Sequence, residues 1–531
     1  MLEYRNNFKK IIIPRIANAS IWWVTGIILL VLFLYYPMLG TYFVSDDYYI
    51  WPVVRTVRFI DTYRLFLPKV LGGFNLTDYT EHYIPLSVWL MWFNAVPLRM
   101  QPMAAHLVSL CLHLINMLLV GKLGYLITRH KKSAILSSLI FGTFPFITEA
   151  VNYIVASLYL LVTFFYLVAL IMLFSYLNSK KRTWLVFHVL CFGFGLFSAE
   201  LAITLPLTVL VTLKMYERIS FIEVLSKYKN LFFTYILIIS IYMGLRVLSL
   251  GTFNIFVSTG HYQLWSMSRM FIFYLVVLIV LVSVRKIALK WISQKIISAE
   301  NKLWLLFLLI GISWLTTAKL LTQERYLYLS ATFASIWAAY LFFMLFTVLR
   351  RQKILQSLWV FILVASLSFS SLKVYQNSST WLKAGDIAYS IVDQVSTILQ
   401  SHPDLQTPLY LINIPDSLNG AYIHRSFFGA AIEFHSGKKP PPFIFTPLTY
   451  GIDTNIQITG PTSMRLVSKN GFSLFLPNYE LGKRVIVWPY VYKAIEINRQ
   501  TLEVEFLDPE FDWQELPIYV FENGTILRLH P

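Results

Sequence analysis

The sequence predicts a mainly α, polytopic membrane protein with about 11 transmembrane helices, followed by a C-terminal soluble α+β domain. Three observations predict this. Of 531 residues, 57% are hydrophobic and only 13% are charged, with a mean hydropathy of +0.62; a soluble domain carries about a quarter charged residues. Apolar runs long enough, or nearly so, to cross a hydrocarbon core recur as far as residue 375. Beyond residue 380, charged and turn residues return and the apolar runs shrink to strand length.

The predicted spans lie near 20–43, 103–128, 133–148, 151–178, 183–199, 200–217, 231–249, 265–284, 303–320, 326–348 and 354–375. The first is too long for a removed signal peptide and lacks a small-residue cleavage site. Arg5, Lys9, Lys10 and Arg15 precede it, which predicts a cytoplasmic N-terminus. Alternating in and out from there places every basic cluster inside: Arg129 to Lys132, Lys180 to Arg182, Lys214 to Lys229, Arg285 to Lys295 and Arg350 to Lys353. That is the positive-inside rule. An odd number of spans then puts the tail outside the cytoplasm, in the plasma membrane or its equivalent.

A first outer loop, 44–102, holds Arg55, Arg58, Arg64 and Lys69, and an apolar stretch from Pro85 to Val96 too short to span. Two short helices lying along the outer surface are expected there. The membrane part is read as residues 1–379 and the extracytoplasmic domain as 380–531. In the latter, Trp381 to Leu399 reads as an amphipathic helix, and Leu409–Ile414, Arg484–Trp488, Leu502–Phe506 and Ile518–Phe521 read as strands.

A net charge of +17 invites comparison with nucleic-acid binders, but Lys and Arg cluster between apolar runs, as anchors beside lipid head groups do. The partner implied is the bilayer, not nucleic acid. Cys111 and Cys191 both lie in apolar runs and offer neither a disulfide framework nor a thiolate metal site. No HExxH, P-loop or GxSxG occurs, which leaves metalloprotease, NTPase and hydrolase-elbow readings without support.

The rare ionisable residues at span ends are the candidate chemistry. Asp46-Asp47 in FVSDDYYI, Glu149 in FPFITEAVNY, Glu200 in LFSAELAITLP and Glu324-Arg325 in LTQERYLYLS all fall at the predicted outer ends. Ionisable groups at membrane depth are costly and by default mark a functional site. Adjacent carboxylates raise each other's pKa, which suits a general base, and their oxygens suit a divalent cation. The plain alternative is a solvated turn. Arg325, flanked by Tyr326 and Tyr328, has the planar fork that holds phosphate oxygens, or else it snorkels as an anchor, with Glu324 as its ion-pair partner. Glu149 and Glu200 have no close basic neighbour in sequence and could bind a polyol or pair with Arg325. His82 is the histidine nearest the doublet by element, whereas His113 and His188 lie within spans and read as packing residues.

In order, FVSDDYYI, HYIPLSVWLMWFN, MAAHLVSLCLHLINMLL, FGTFPFITEAVNYIVAS, LFSAELAITLPL and QERYLYLSATF resemble the GT-C superfamily of membrane glycosyltransferases. The resemblance covers roughly residues 20–375 and is nearest the protein O-mannosyltransferases and their tetratricopeptide-bearing relatives. It implies a GT-C-like fold, a polyprenyl-phosphate-linked sugar donor and a hydroxyl acceptor on a protein, glycan or lipid. It also implies catalytic acids at Asp46 and Asp47, and a donor-phosphate contact at Arg325. His82, Glu149, Glu200, Glu324 and Tyr328 would then bind substrate or support the acids. Three departures stand out: Ile84 where relatives often carry Arg, Ala199 where they often carry Lys, and a tail without tetratricopeptide repeats.

The expected reaction is a single displacement at the anomeric carbon, with inversion. The rival is a transporter or flippase of lipid-linked glycans. It would need ionisable groups or Gly/Pro breaks at mid-membrane, whereas these acids gather at one side.

Overall fold

The computed structural model describes residues 18–74, 82–251, 294–314, 323–401, 409–437, 443–449, 454–469, 485–487, 492–498, 500–506 and 518–528. The predicted span 265–284 and the end of 303–320 lie outside the described residues, as do Arg5 to Arg15.

Among the described residues, six helices are long and apolar enough to cross a membrane: Ile21–Gly40, Pro102–Thr128, Ile154–Ser179, Lys229–Leu250, Glu324–Arg351 and Lys353–Ser401. A seventh arises if Lys131–Gly142 and Pro145–Asn152, which meet at a bend of 58°, count as one span. Helices Arg182–Ser198 and Leu205–Glu217 fill the predicted spans 183–199 and 200–217 but are shorter than a hydrocarbon core requires. Large apolar side chains face outward along these helices, among them Trp22, Trp23, Phe33, Ile236, Ile354 and Phe361. Such surface is stable against lipid and not against water. The chain is an integral membrane protein.

Two apolar cores organise the molecule. The first joins the span helices through Val31, Met117, Leu167, Phe192 and Ile336. The second is built from Val44 to Leu65, Ile84 to Ala105, Tyr153 to Ala156, Trp381 to Val395 and the strand-rich C-terminal segment up to Phe521. It therefore ties the first loop, the bundle end and the C-terminal segment into one packed unit.

Helix α1 is Lys353–Ser401, 49 residues and about 74 Å long. The predicted last span and the predicted amphipathic helix are this single element. The polar stretch Gln376 to Thr380 between them contains no helix breaker. No residue of its most apolar stretch is fully buried, although Trp359, Leu363 and Leu367 pack against Leu136, Ala339 and Phe342; its second half is buried at Ala384, Ala388, Ile391, Val392 and Val395. At Gly385 the helix passes so close to the first loop that a Cβ would meet the Tyr42 backbone nitrogen at 2.6 Å.

The expectation of surface helices in the first loop is overturned for one of them. Pro85–Ala95 is a helix, but Val88, Leu90, Met91 and Trp92 are buried, and Trp92 Nε1 donates to the Val57 carbonyl at 2.8 Å. Its apolar residues occupy most of its circumference, so it seeks protein on all sides. The 3₁₀ segment Phe59–Phe66 does lie at the surface, with Phe59, Ile60 and Tyr63 exposed.

The C-terminal segment contains strands β1 (Leu409–Pro415), β2 (Ser417–Leu418), β3 (Ala421–Tyr422), β4 (Phe443–Thr449), β5 (Thr454–Gly460), β6 (Ser463–Ser468), β7 (Val485–Val487), β8 (Tyr492–Asn498), β9 (Thr501–Phe506), β10 (Ile518–Glu522) and β11 (Thr525–Arg528). One sheet has the order β11-β10-β1-β4, with β1 parallel to both neighbours. A second is antiparallel, in the order β5-β6-β9-β8-β7. Strands β2 and β3 form a hairpin turning at Asn419-Gly420, both at positive φ (48° and 92°), as a two-residue turn of this kind requires.

Candidate functional site

Asp46 and Asp47 occupy a 3₁₀ turn, Ser45–Tyr48, at the seam of the second core. The two carboxylates do different things. Asp47 accepts backbone N–H groups from Val44 at 3.0 Å and Val155 at 3.0 Å, so it closes its own turn and pins the turn to the loop before the Ile154–Ser179 span. It is half-buried and enclosed by protein; burial, with a smaller contribution from the Asp46 charge, pushes its carboxyl up to about 7 against the pull of the two amides. Asp46 instead accepts from the hydroxyls of Ser426 and Ser45, and its backbone N–H donates to the Tyr153 hydroxyl at 3.0 Å.

Ser426 belongs to the C-terminal segment, 380 positions away. Its hydroxyl also lies 3.2 Å from that of Ser45, and the Ser45 N–H donates to the Ile423 carbonyl at 2.9 Å. Residues on both sides of this contact carry left-handed backbone, Ser45 at φ 43° and Phe427 at φ 55°. Each such conformation costs about 1–3 kcal/mol in a non-glycine residue and concentrates at functional sites.

Glu149 and Arg325 are directly paired. Arg325 Nη1 donates to Glu149 Oε1 at 2.8 Å, and the Arg325 backbone N–H donates to Oε2 at 3.1 Å. The partner of Arg325 is therefore Glu149, not the adjacent Glu324. The guanidinium sits over Tyr153 at 5.6 Å, Tyr326 at 5.5 Å and Tyr422 at 5.9 Å. Tyr153 thus touches both Asp46 and Arg325. Glu324 faces a cavity of about 390 Å³ that also involves Glu149, Gln323, Asn377 and the β2–β3 hairpin.

Glu200 belongs to a different cluster. It pairs with Arg246, a fully buried side chain of the Lys229–Leu250 span, and with His82 Nδ1 at 3.2 Å. The alternatives of Glu200 meeting Arg325, or of His82 serving the Asp doublet, are not what the fold does. The cation beside Glu200 is Arg246, distant in sequence. Tyr328 points into the bundle, its hydroxyl 2.8 Å from His113 Nδ1 and 3.4 Å from Asn116 Nδ2. His113 and His188 are hydrogen-bonded packing residues, His188 Nδ1 meeting the Ala169 carbonyl at 2.7 Å.

Sequence reading missed Tyr153, Tyr422, Arg425, Ser426 and Arg246. Only the hairpin carried a local signal, the Asn419-Gly420 dipeptide between strand-forming residues. As a cation site, the doublet is poorly arranged: both Asp47 oxygens already accept a backbone amide. No group of three His, Cys, Asp or Glu side chains able to hold a metal occurs among the described residues.

No family model matches the chain, and no curated protein matches it. Among solved structures it is similar to ArnT from Cupriavidus metallidurans bound to undecaprenyl phosphate, with 12% identity and a TM-score of 0.48 over 80% of this chain and 86% of that one. The apo state of the same ArnT gives 13% identity and a TM-score of 0.47, over 81% and 87%. The Archaeoglobus fulgidus oligosaccharyltransferase in complex with zinc and sulfate gives 12% and 0.41, over 81% of this chain and 63% of that one. At such identities and TM-scores these likenesses carry no argument about function.

Proposed function

We propose that the chain is a membrane glycosyltransferase of the GT-C type that moves a sugar from a polyprenyl-phosphate donor to a hydroxyl acceptor. The observation that carries this reading is the Tyr153 bridge: its hydroxyl accepts the Asp46 backbone N–H and its ring lies under the caged Arg325 guanidinium, so that acid and cation stand together at one end of a membrane bundle. A transfer of this kind needs those two groups: a base for the attacking hydroxyl and a fixed cation where the leaving phosphate gathers charge.

Asp46 takes the proton of the acceptor hydroxyl as its oxygen attacks the anomeric carbon. The C1–O bond to phosphate breaks as the new glycosidic bond forms, with inversion. Ser426 and Ser45 hold the Asp46 carboxylate, and Glu149 takes one edge of Arg325, leaving the other N–H groups for phosphate oxygens. Asp47 acts on Asp46 by fixing its turn. Glu324 faces substrate from the cavity wall, while Glu200 with His82 and Tyr328 support the bundle around the site.

The spans that start beside the site, Ile154–Ser179 and Glu324–Arg351, finish at the basic clusters Lys180 to Arg182 and Arg350-Arg351. Under the positive-inside rule this supports a site on the non-cytoplasmic face. Incubating the purified protein with a panel of polyprenyl-phosphate sugars and measuring release of polyprenyl phosphate tests the reading. Failure to release it from any donor, with a hydroxyl acceptor present, overturns it.

A further inference from the structure

The cavity of about 390 Å³ lies between three elements: the Thr148-Glu149 and Gln323-Glu324 corners of the bundle, the middle of helix α1, and the β2–β3 hairpin. Its size is in the range of small-molecule sites. Its chemistry is not that of a lipid groove. Amides and hydroxyls come from Gln323, Asn377, Thr380 and Asn419, and the titratable groups are three carboxylates (Glu149, Glu324, Asp416) against one guanidinium, Arg425. Two of these carboxylates already face a guanidinium, Glu149 that of Arg325 at 2.8 Å and Asp416 that of Arg425 at 3.9 Å, which leaves Glu324 as the acid that tips the balance. The Gln323 side-chain oxygen is buried in this wall without a hydrogen-bond partner among the described residues. Trp381 and Tyr422 add aromatic surface, held by packing against Tyr153 at 5.3 and 5.2 Å between ring centroids.

Many short-range donors and acceptors with an aromatic edge suit a polyhydroxylated ring. The Glu324 carboxylate, the one acid of this wall not facing a guanidinium among the described residues, opposes a phosphate or a uronate, because like charges in a partly desolvated space repel. The donor phosphate therefore belongs on the Arg325 side of Tyr422, not in this space. The hairpin and Arg425 come from the same segment that delivers Ser426 to Asp46. Arg425, in the wall, directly precedes Ser426, whose hydroxyl donates to the Asp46 carboxylate.

We infer that this cavity is an acceptor subsite for an uncharged or amino-bearing carbohydrate ring, so that the acceptor is a glycan and not a bare polypeptide. This rests on the glycosyltransferase reading and names its acceptor class. The wall is half membrane bundle and half hairpin, so the acceptor subsite exists only where the two meet. The Asn419-Gly420 turn lines it from the hairpin side.

The test uses the full-length protein in lipid nanodiscs and saturation-transfer NMR with methyl glycosides: a neutral hexoside, an amino-hexoside and a hexuronoside. The neutral and amino compounds are expected to bind saturably, and the uronoside about tenfold more weakly or worse, a difference of about 1.4 kcal/mol. Polyprenyl phosphate added in excess leaves the bound glycoside in place. Thr380→Trp fills the cavity and abolishes binding, whereas Thr380→Ser keeps it. Asn419→Asp adds a carboxylate at nearly constant volume, so it strengthens amino-hexoside binding and weakens the uronoside further, a check that does not depend on the bulky variant folding. Binding of the uronoside as tight as the neutral compound, absence of binding by all three, or displacement by polyprenyl phosphate overturns the inference. Release of polyprenyl phosphate from donor sugars is read separately, so loss of the acceptor subsite and loss of the glycosyltransferase reading give different results.

Discussion

Two acid–cation clusters occupy the same part of the molecule and are built from the same residue types, yet they differ in what surrounds them. Glu149–Arg325 stands beside Asp46 at the seam with the C-terminal segment, bordered by a cavity of about 390 Å³. Glu200–Arg246–His82 stands among the bundle helices beside a space of about 20 Å³, with Arg246 fully buried. A buried ion pair in a packed wall holds elements in register; one that borders open space can exchange part of its hydrogen bonding for a ligand. Among the described residues, Glu200, the Lys229–Leu250 span and the His82 segment thus read as a brace, whereas Glu149, the partner of Arg325, lines the larger space. Composition did not separate these two cases. Space did.

The sharpest break between the clusters is chemical. Asp46→Asn keeps the shape of the site and removes the base, so turnover should fall by about 10²- to 10⁴-fold while donor affinity changes little. Single-turnover release of polyprenyl phosphate measures both, and near-normal turnover would move the base to another group. In the second cluster, Glu200→Gln should instead act on stability. It strips the buried Arg246 guanidinium of its carboxylate, a loss of about 3 kcal/mol, seen as a lower unfolding midpoint in detergent. If Glu200→Gln cuts turnover as Asp46→Asn does, without a fall in midpoint, the two clusters are one site.

Arg325→Lys tests the cage. An ammonium keeps the charge but cannot hold Glu149 and a phosphate with one planar fork, so donor affinity and rate should each drop by about tenfold or more. Equal behaviour of the two proteins would make Arg325 an anchor. Ser426→Ala asks whether the C-terminal segment acts on the acid. A hydrogen bond to a charged group is worth about 1.5–3 kcal/mol, so kcat should fall about tenfold or more with the donor KM unchanged. A purely structural contact would leave kcat alone.

The last effect concerns Asp47. Its carboxyl is raised from an ordinary value of 3.8 to about 7, chiefly by burial, so the folded state holds a proton that the unfolded chain has lost. The resulting stability is complete below about pH 4 and declines as pH rises to about 7, with a slope of at most about 1.4 kcal/mol per pH unit from this group. Asp47→Asn should flatten that part of the pH–stability curve. An unchanged slope would assign it to other groups.

Much of the architecture was legible in the linear pattern. Spans at 103–128, 151–178 and 326–348 emerge as helices because in lipid a chain must satisfy its backbone groups within the segment. Strands Leu409–Pro415, Thr501–Phe506 and Ile518–Glu522 follow their apolar runs. The Pro85–Ala95 helix was legible as a helix but not as a buried one, because burial depends on which neighbours arrive. Likewise the predicted span 354–375 and the predicted helix Trp381 to Leu399 are one continuous helix, since the polar Gln376 to Thr380 between them holds no breaker.

That the chain enters a membrane, that its apolar runs are helical, and that its scarce acids gather at span ends can all be read from the linear order of residues. Those are consequences of local composition and period. Only the packing of distant elements decides that Arg325 pairs with Glu149 and not with Glu324, that Glu200 pairs with Arg246, and that Ser426 reaches Asp46 across 380 positions. Pairings of this kind depend on close approach between elements far apart in the chain. Their energies follow distance and desolvation at the contact, and neither quantity is written in the order of residues.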